Sequence, residues 1–226
     1  MQTAANRNPR LDRDYVAQAA LRLQDEVGLD GLTVRRLGAE LGVQGPALYW
    51  HFASKQDLLD LMAHEMTRPW LQSVPATAVG QPWDDWLTEV GRGYRALLLA
   101  HRDGARLVAG ARPLPDSLPL LDACIAAFEA STGCGPGQAL RSLAAVIAFV
   151  RGFVLDEHAA LTRAADEVAA AGRPEGALAA ASQPVPVPHL DAAIAEGGAP
   201  SGEGTFEYGL RLVVDGIRIA LERSRA

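Results

Sequence analysis

Apolar side chains recur along this chain at the three- and four-residue spacing of a buried helix face, and no segment shows the alternation of a half-buried strand. From Leu11 to Gly28 the face is Val16, Ala19, Ala20, Leu23 and Val27, with Asp12 as N-cap and Gly28 as stop, which predicts a first helix. Thr33 caps a short second helix that buries Val34, Leu37 and Leu41 and ends at Gly42. Pro46 then opens "PALYWHF", barely two turns long, in which Leu48 and Phe52 stand four apart and face inward. Ser54 caps a fourth helix, with Asp57 near its positive end and Leu58, Leu59, Leu61, Met62 and Met66 as its apolar stripe. Two short helices joined by a tight glycine-containing turn form the helix-turn-helix pattern.

Beyond Pro69 the segments become long and alanine-rich. Trp83 to His101 carries Trp86, Val90, Tyr94, Leu97 and Leu98 on one side, and helices are also predicted over Asp116 to Ser131 and Gln138 to Leu161. The last segment, 205–223, is periodic at Phe206, Leu210, Val213, Val214, Ile217 and Leu221. Residues 171–188 have the Pro, Gly and Ala content of a mobile loop, and "GGAPSGEG" is a second loop. The fold class is therefore all-α, without an internal repeat.

A chain of 226 residues with 49 % hydrophobic content can build a sizeable core. No run of 18 uncharged apolar residues occurs and the first fourteen residues lack the apolar centre of a secretory signal, so the expectation is a cytoplasmic protein with no membrane partner. Cys124 and Cys134 are too few for a disulfide framework and read as buried or free thiols. The net charge of -6 counts at first against a polyanionic partner. Residues 1–70, however, hold eight basic and nine acidic groups, net -1, so the relative surplus of positive charge is N-terminal. It includes Lys55, the one lysine among 21 basic residues, just after Tyr49, Trp50, His51 and Phe52.

In a helix-turn-helix the second helix lies in the DNA major groove, its exposed side chains on base edges and its flanks on phosphates. Leu48 and Phe52 turn inward, which leaves Gln44, Gly45, Ala47, Tyr49, Trp50 and His51 for the outward arc. Tyr49 and His51 can donate to phosphate oxygens, and Lys55 can grip a phosphate beside the free N–H groups of the next helix. The competing reading makes the aromatics the cover of a small three-helix core and Lys55 a solvated neighbour of a cap.

Other constellations carry less. Asp156, Glu157 and His158 are consecutive on a helix and point in different directions, so no metal site is expected. His64 and His189 are isolated and read as structural or solvated, while His101 ends its helix, where an imidazole meets free carbonyls. No G-x-S-x-G, phosphate-cradling glycine loop or Cys-His pairing is present, and neither an enzyme nor a cofactor is expected.

"GLTVRRLGAELGVQGPALYWHFASKQDLL" resembles the DNA-binding domain of the TetR family of one-component transcriptional repressors. The resemblance continues through "WLTEVGRGYRALLLAHRDGARLVAGARP", which is similar to the core of the tetracycline repressor subgroup. It implies a helix-turn-helix domain over 1–54 and a ligand-binding and dimerisation domain over 55–226, with a connecting helix at 55–66. It further implies a homodimer built through a C-terminal four-helix bundle, matched here by Arg141 to Leu161 and Thr205 to Arg223. Gly209 and Gly216 lie seven apart on the flank of the last stripe, where two backbones can approach, although packing within one chain accounts for them equally well. A symmetric dimer would read a palindromic operator through heads about 34–36 Å apart. A small organic effector would shift "HRDGARLVAG" against the fourth helix and release the DNA.

Residue by residue, Arg35 aligns with a base-contacting arginine, while Gly45 and Ala47 replace a glutamine and a threonine, leaving Gln44 and the Ala47 methyl for the groove. Leu71, Val90 and Val108 stand where tetracycline repressors hold the chelated drug through histidines and an asparagine, and Asp156 keeps an acid at a neighbouring position. The implied effector is therefore largely apolar and not a magnesium-tetracycline chelate, with Trp86, Val90, Tyr94, Val108, Arg112, Cys124, Ile147, Phe153 and Asp156 as its expected contacts. Control of an exporter or an antibiotic-related gene follows from the habit of such sensors. The alternatives are a helical small-molecule binding protein without a specific operator, and a global regulator without a ligand.

Overall fold

The computed structural model describes residues 11–171, 186–197 and 201–225. Among them every regular element is helical: α1 (Arg13–Val27), α2 (Val34–Glu40), α3 (Gly45–Leu48), α4 (Lys55–Thr77), α5 (Trp83–Leu99), α6 (Gly104–Gly110), α7 (Leu118–Thr132), α8 (Pro136–Ala171), α9 (Pro188–Ala195) and α10 (Glu203–Arg223), with one 3-10 turn at Pro115–Ser117. The expected caps hold the head. Asp12 accepts from Tyr15 N at 2.9 Å, Thr33 from Arg36 N at 3.2 Å and Ser54 from Asp57 N at 3.1 Å.

The turn between α2 and α3 needs its glycines. Gly42 has φ +67°, a region that side chains rarely enter, and a Cβ on Gly38 would lie 2.9 Å from the Val43 carbonyl. Val43 N–H donates to the Gly38 carbonyl at 2.9 Å, which closes the turn. Leu37, Leu48 and Phe52 are buried in the same hydrophobic core as Val16, Ala20 and Leu58, so Leu48 and Phe52 do face inward.

Five helices depart from the expectations, among them α8, which runs past Leu161 to Ala171, and α6, where no helix was predicted. α3 is a single regular turn rather than nearly two, because residues 49–51 leave the helix as turns. α4 does not stop near Met66 but runs on through Pro69 and Pro75 to Thr77. A proline removes one donor yet leaves the rest of the ladder, and burial of Leu71 and Val74 against the body holds the extra turns. α9 was not anticipated, and residues 172–185 of the expected mobile loop lie outside the described residues.

The body is arranged around α5, which packs on α8, α10 and α4, while α7 bridges α8 and α4. Trp86 is fully buried, and its indole N–H donates to the Val74 carbonyl at 3.1 Å and to Thr77 Oγ1 at 3.0 Å, tying α5 to the end of α4. The α5–α8–α10 seam carries Arg95 paired with Glu157 at 2.6 Å and with Glu203, and Arg92 paired with Glu207 at 2.6 Å. Cation-π contact adds to it, since the Arg95 guanidinium lies 4.5 Å from the Phe206 ring centre. α8 is long and apolar enough over Pro136–Ala164 to cross a membrane by length and composition, but Arg141 and Arg151 interrupt that stretch and one of its faces packs on α5, α7 and α10.

Candidate functional site

The short segment from Gln44 to Lys55 gathers the residues singled out for DNA. Trp50 is 90 % exposed, a value that a core-covering role cannot accommodate, whereas Tyr49, 54 % exposed, partly covers the core. Gln44 and Lys55 are exposed; Gly45, Ala47 and His51 are half-buried; and Arg35 is exposed on α2. Tyr49 also packs on Phe52 with ring centres 5.7 Å apart, so its ring is anchored while its edge stays in solvent. Gln44 precedes α3 without a side-chain cap bond, and Lys55 opens α4, where backbone N–H groups lack helical partners.

The head is held to the body by polar contacts from the last turn of α1 and the loop after it to the loop before α6 and the first turn of that helix. Asp103, held at φ +58°, accepts from Leu29 N at 2.8 Å. Gln24 Nε2 donates to the Arg102 carbonyl at 2.5 Å, Arg102 N to Asp25 at 3.0 Å, and Arg102 Nη1 to the Glu26 carbonyl at 2.8 Å. Arg106 pairs with Asp30 at 3.0 Å. His101 meets the Asp25 carboxylate at 3.0 Å instead of the free carbonyls at the end of its own helix, because the last turn of α1 is docked against it.

The far end of α6 is tied to α4. Gln56 Nε2 donates to the Gly110 carbonyl at 2.8 Å, and Arg112 meets Asp60 through its backbone N at 2.9 Å and through Nε at 3.0 Å. Burial opposes the charge of Asp60, but the hydrogen bonds from Arg112 N, Gln56 and the Arg112 guanidinium prevail and hold its carboxyl below the ordinary 3.8.

Between α4, α6 and α8 lies a cavity of about 290 Å³. Of the nine expected ligand contacts, Tyr94, Val108 and Arg112 line it. Trp86, Val90 and Cys124 are buried outside its wall; Trp86 packs on Phe128 and spends its indole N–H on α4. Burial pushes the Cys124 thiol up to about 11 and the Tyr94 phenol up to about 12, so both keep their protons at neutral pH. Ile147 and Phe153 are half-buried, Phe153 against Phe206 with ring centres 5.4 Å apart, and Asp156 is exposed. The wall also includes His64, Thr67, Ser117, Leu121 and Arg151, none of which was expected there. Arg151 carried a signal, a lone charge inside the apolar run from Leu143 to Leu155; His64, bonded to Ser117 at 2.8 Å, carried none beyond its spacing on α4. Among the described residues no group of three His, Cys, Asp or Glu side chains is disposed to hold a metal ion.

Exposed apolar side chains also occur on α8 and α10, with a groove between the two helices. Leu140, Leu212 and Ile219 are about half exposed, at 55 %, 55 % and 49 %. The two glycines differ: a Cβ on Gly209 would lie 2.6 Å from Phe149 Cζ, so Gly209 serves packing within the chain, whereas Gly216 meets nothing within 4 Å and opens onto the groove between the two helices.

Comparison with known proteins covers both regions. Residues 17–62 match the model of bacterial regulatory proteins of the tetR family, and residues 75–221 match the tetracyclin repressor-like C-terminal domain. Tetracycline repressor protein class A from transposon 1721 of Escherichia coli is 38 % identical over 209 residues, 92 % of this chain and 91 % of the relative. A possible TetR family transcriptional regulator from Streptomyces coelicolor A3(2) superposes with a TM-score of 0.71 at 36 % identity, covering 92 % of this chain and 100 % of that one. The class A repressor in complex with 5a,6-anhydrotetracycline and magnesium superposes with a TM-score of 0.64 at 33 % identity, over 90 % of this chain and 96 % of that one.

Proposed function

The chain belongs to the TetR family of bacterial regulatory proteins, and from that premise we propose that it is a ligand-responsive transcriptional repressor. Residues 1–54 read a palindromic operator, residues 55–226 bind the effector and dimerise, and the protein works in the cytoplasm. The observation that carries the reading is the double attachment of α6. Its first turn holds the head loop through Asp103 and Arg106, while Val108 forms part of the cavity wall and Arg112 just beyond is fastened to α4. A ligand that displaces this seven-residue helix therefore acts on the head through the loop and through α4 together.

To switch, the effector must favour the displaced state, and each tenfold bias corresponds to about 1.4 kcal/mol of differential binding. Arg35, Gln44 and the Ala47 methyl serve base edges, and Tyr49, Trp50, His51 and Lys55 serve the backbone. The controlled gene is an exporter or antibiotic-related gene. Leu71 and Val90 are buried aliphatic side chains and Val108 is half-buried, so none supplies a ligand for a magnesium chelate.

A gel shift with the DNA upstream of its own gene tests the reading. Discrete retardation at nanomolar protein and about 150 mM salt, lost with a scrambled inverted repeat, is expected; retardation indifferent to sequence counts against it. Anhydrotetracycline with magnesium is expected to leave the complex intact, and magnesium-dependent release would overturn the exclusion of that ligand.

A further inference from the structure

The cavity wall is one-sided in charge. It contains two guanidinium groups, Arg112 and Arg151, and the imidazole of His64, but no carboxylate. This occurs in a protein with 27 acidic and 21 basic residues, so acids are not scarce elsewhere.

The cations are not equivalent. Arg112 is answered by Asp60 at 2.9 Å and Asp57 at 3.5 Å, and its side chain is 69 % exposed. His64 is engaged with Ser117 through Nδ1 at 2.8 Å. Arg151 is half-buried on α8 and, among the described residues, forms no ion pair or hydrogen bond. A guanidinium cannot shed its proton, and this one, which solvent still reaches, has its donors uncommitted within the fold and available to a guest. The rest of the wall is what an apolar body needs: Val108, Leu114 and Leu121, with Tyr94 stacked on Trp70 at 5.0 Å between ring centres. The Tyr94 phenol, kept protonated by burial, can donate to an oxygen of the same guest.

We propose that the effector is an aromatic organic acid whose carboxylate is gripped by Arg151 while its ring system lies against Val108, Leu114 and Leu121. The inference rests on the cavity being the effector site. A fork-shaped donor pair matches a carboxylate in two parallel hydrogen bonds, which makes charge, rather than shape alone, the basis of selection. The volume, near the small end of the ligand-pocket range of about 300–1,000 Å³, suits two or three fused rings.

The test uses the full chain and a matched pair of probes, anthracene-9-carboxylate and anthracene-9-carboxamide, followed by calorimetry. The acid is expected to bind at least tenfold more tightly than the amide. Arg151→Gln should erase that preference by weakening the acid alone, about 1.4 kcal/mol per tenfold, and Arg151→Lys should restore part of it. Because Arg151 has no partner in the fold, the thermal midpoint of Arg151→Gln should not fall, which separates lost recognition from lost structure. Equal binding of acid and amide, equal weakening of both by Arg151→Gln, or no binding of either at about 1 mM overturns the proposal. If the Arg151-dependent preference is found but the acid does not release operator DNA, the acid site stands and the repressor switch fails; if a neutral compound in the same cavity releases DNA while the acid is ignored, the reverse holds.

Discussion

At the scale of single residues, the DNA-facing assignment turns on exposure. A tryptophan left 90 % in solvent at the tip of a head contributes little to folding. Trp50→Ala should therefore change unfolding free energy by less than about 0.5 kcal/mol while weakening operator binding about tenfold, read by denaturation and gel shift side by side. Lys55→Ala belongs to a different class, because a phosphate contact carries no sequence information. It should weaken all sequences alike and make the slope of log K against log salt shallower by about one unit per head. Gly38→Ala is the structural counterpart: its Cβ would press on the Val43 carbonyl at 2.9 Å, and a loss of roughly 1–3 kcal/mol of stability is expected.

Among elements, α4 and α6 form the pair on which the proposed switch depends. Asp60 joins α4 to the residues after α6, with its side chain 4 % exposed and its carboxylate accepting from Arg112 and Gln56. Asp60→Asn should destabilise the protein by about 2 kcal/mol at neutral pH, since it weakens charge-assisted bonds to a buried acceptor. The pH dependence has a definite sign. A carboxyl held below its ordinary 3.8 contributes stability that is present above that value and lost as pH falls through the folded-state pKa. The gap in thermal midpoint between wild type and Asp60→Asn should thus be constant near neutrality and close below about pH 4. A gap that widens on acidification would show that Asp60 is not the charged partner of Arg112.

For the whole molecule the decisive surface is the outer face of α8 and α10. Leu140, Leu212 and Ile219 stand half exposed on these two helices and Gly216 borders a groove between them, which fits a second copy laid across it in a four-helix bundle. Gly216→Glu should keep the helical circular dichroism of the wild type, because its Cβ meets nothing within 4 Å, yet yield monomers in light scattering. Loss of the second head should lower operator affinity at least about a hundredfold. Gly209→Ala discriminates the two glycines: it collides with Phe149 at 2.6 Å and should cost fold stability rather than dimerisation.

Much of this was legible in the order of residues. Caps at Asp12, Thr33 and Ser54, the glycine turn and the inward pair Leu48 and Phe52 depend on neighbours within a few positions, so periodicity and capping chemistry determine them locally. The resemblance carried by the head and by the 86–113 segment fixed the class of protein on the same basis. What the tertiary structure decided are the relations between distant segments: that α4 survives Pro69 because the body buries Leu71 and Val74, that His101 meets Asp25, that Phe149 comes up against Gly209 while nothing approaches Gly216, and that Arg151 comes to a cavity with no acid in its wall. Helical spacing says which side of one helix a residue occupies, but the identity of what lies across from it depends on how the helices cross, and no local pattern encodes that.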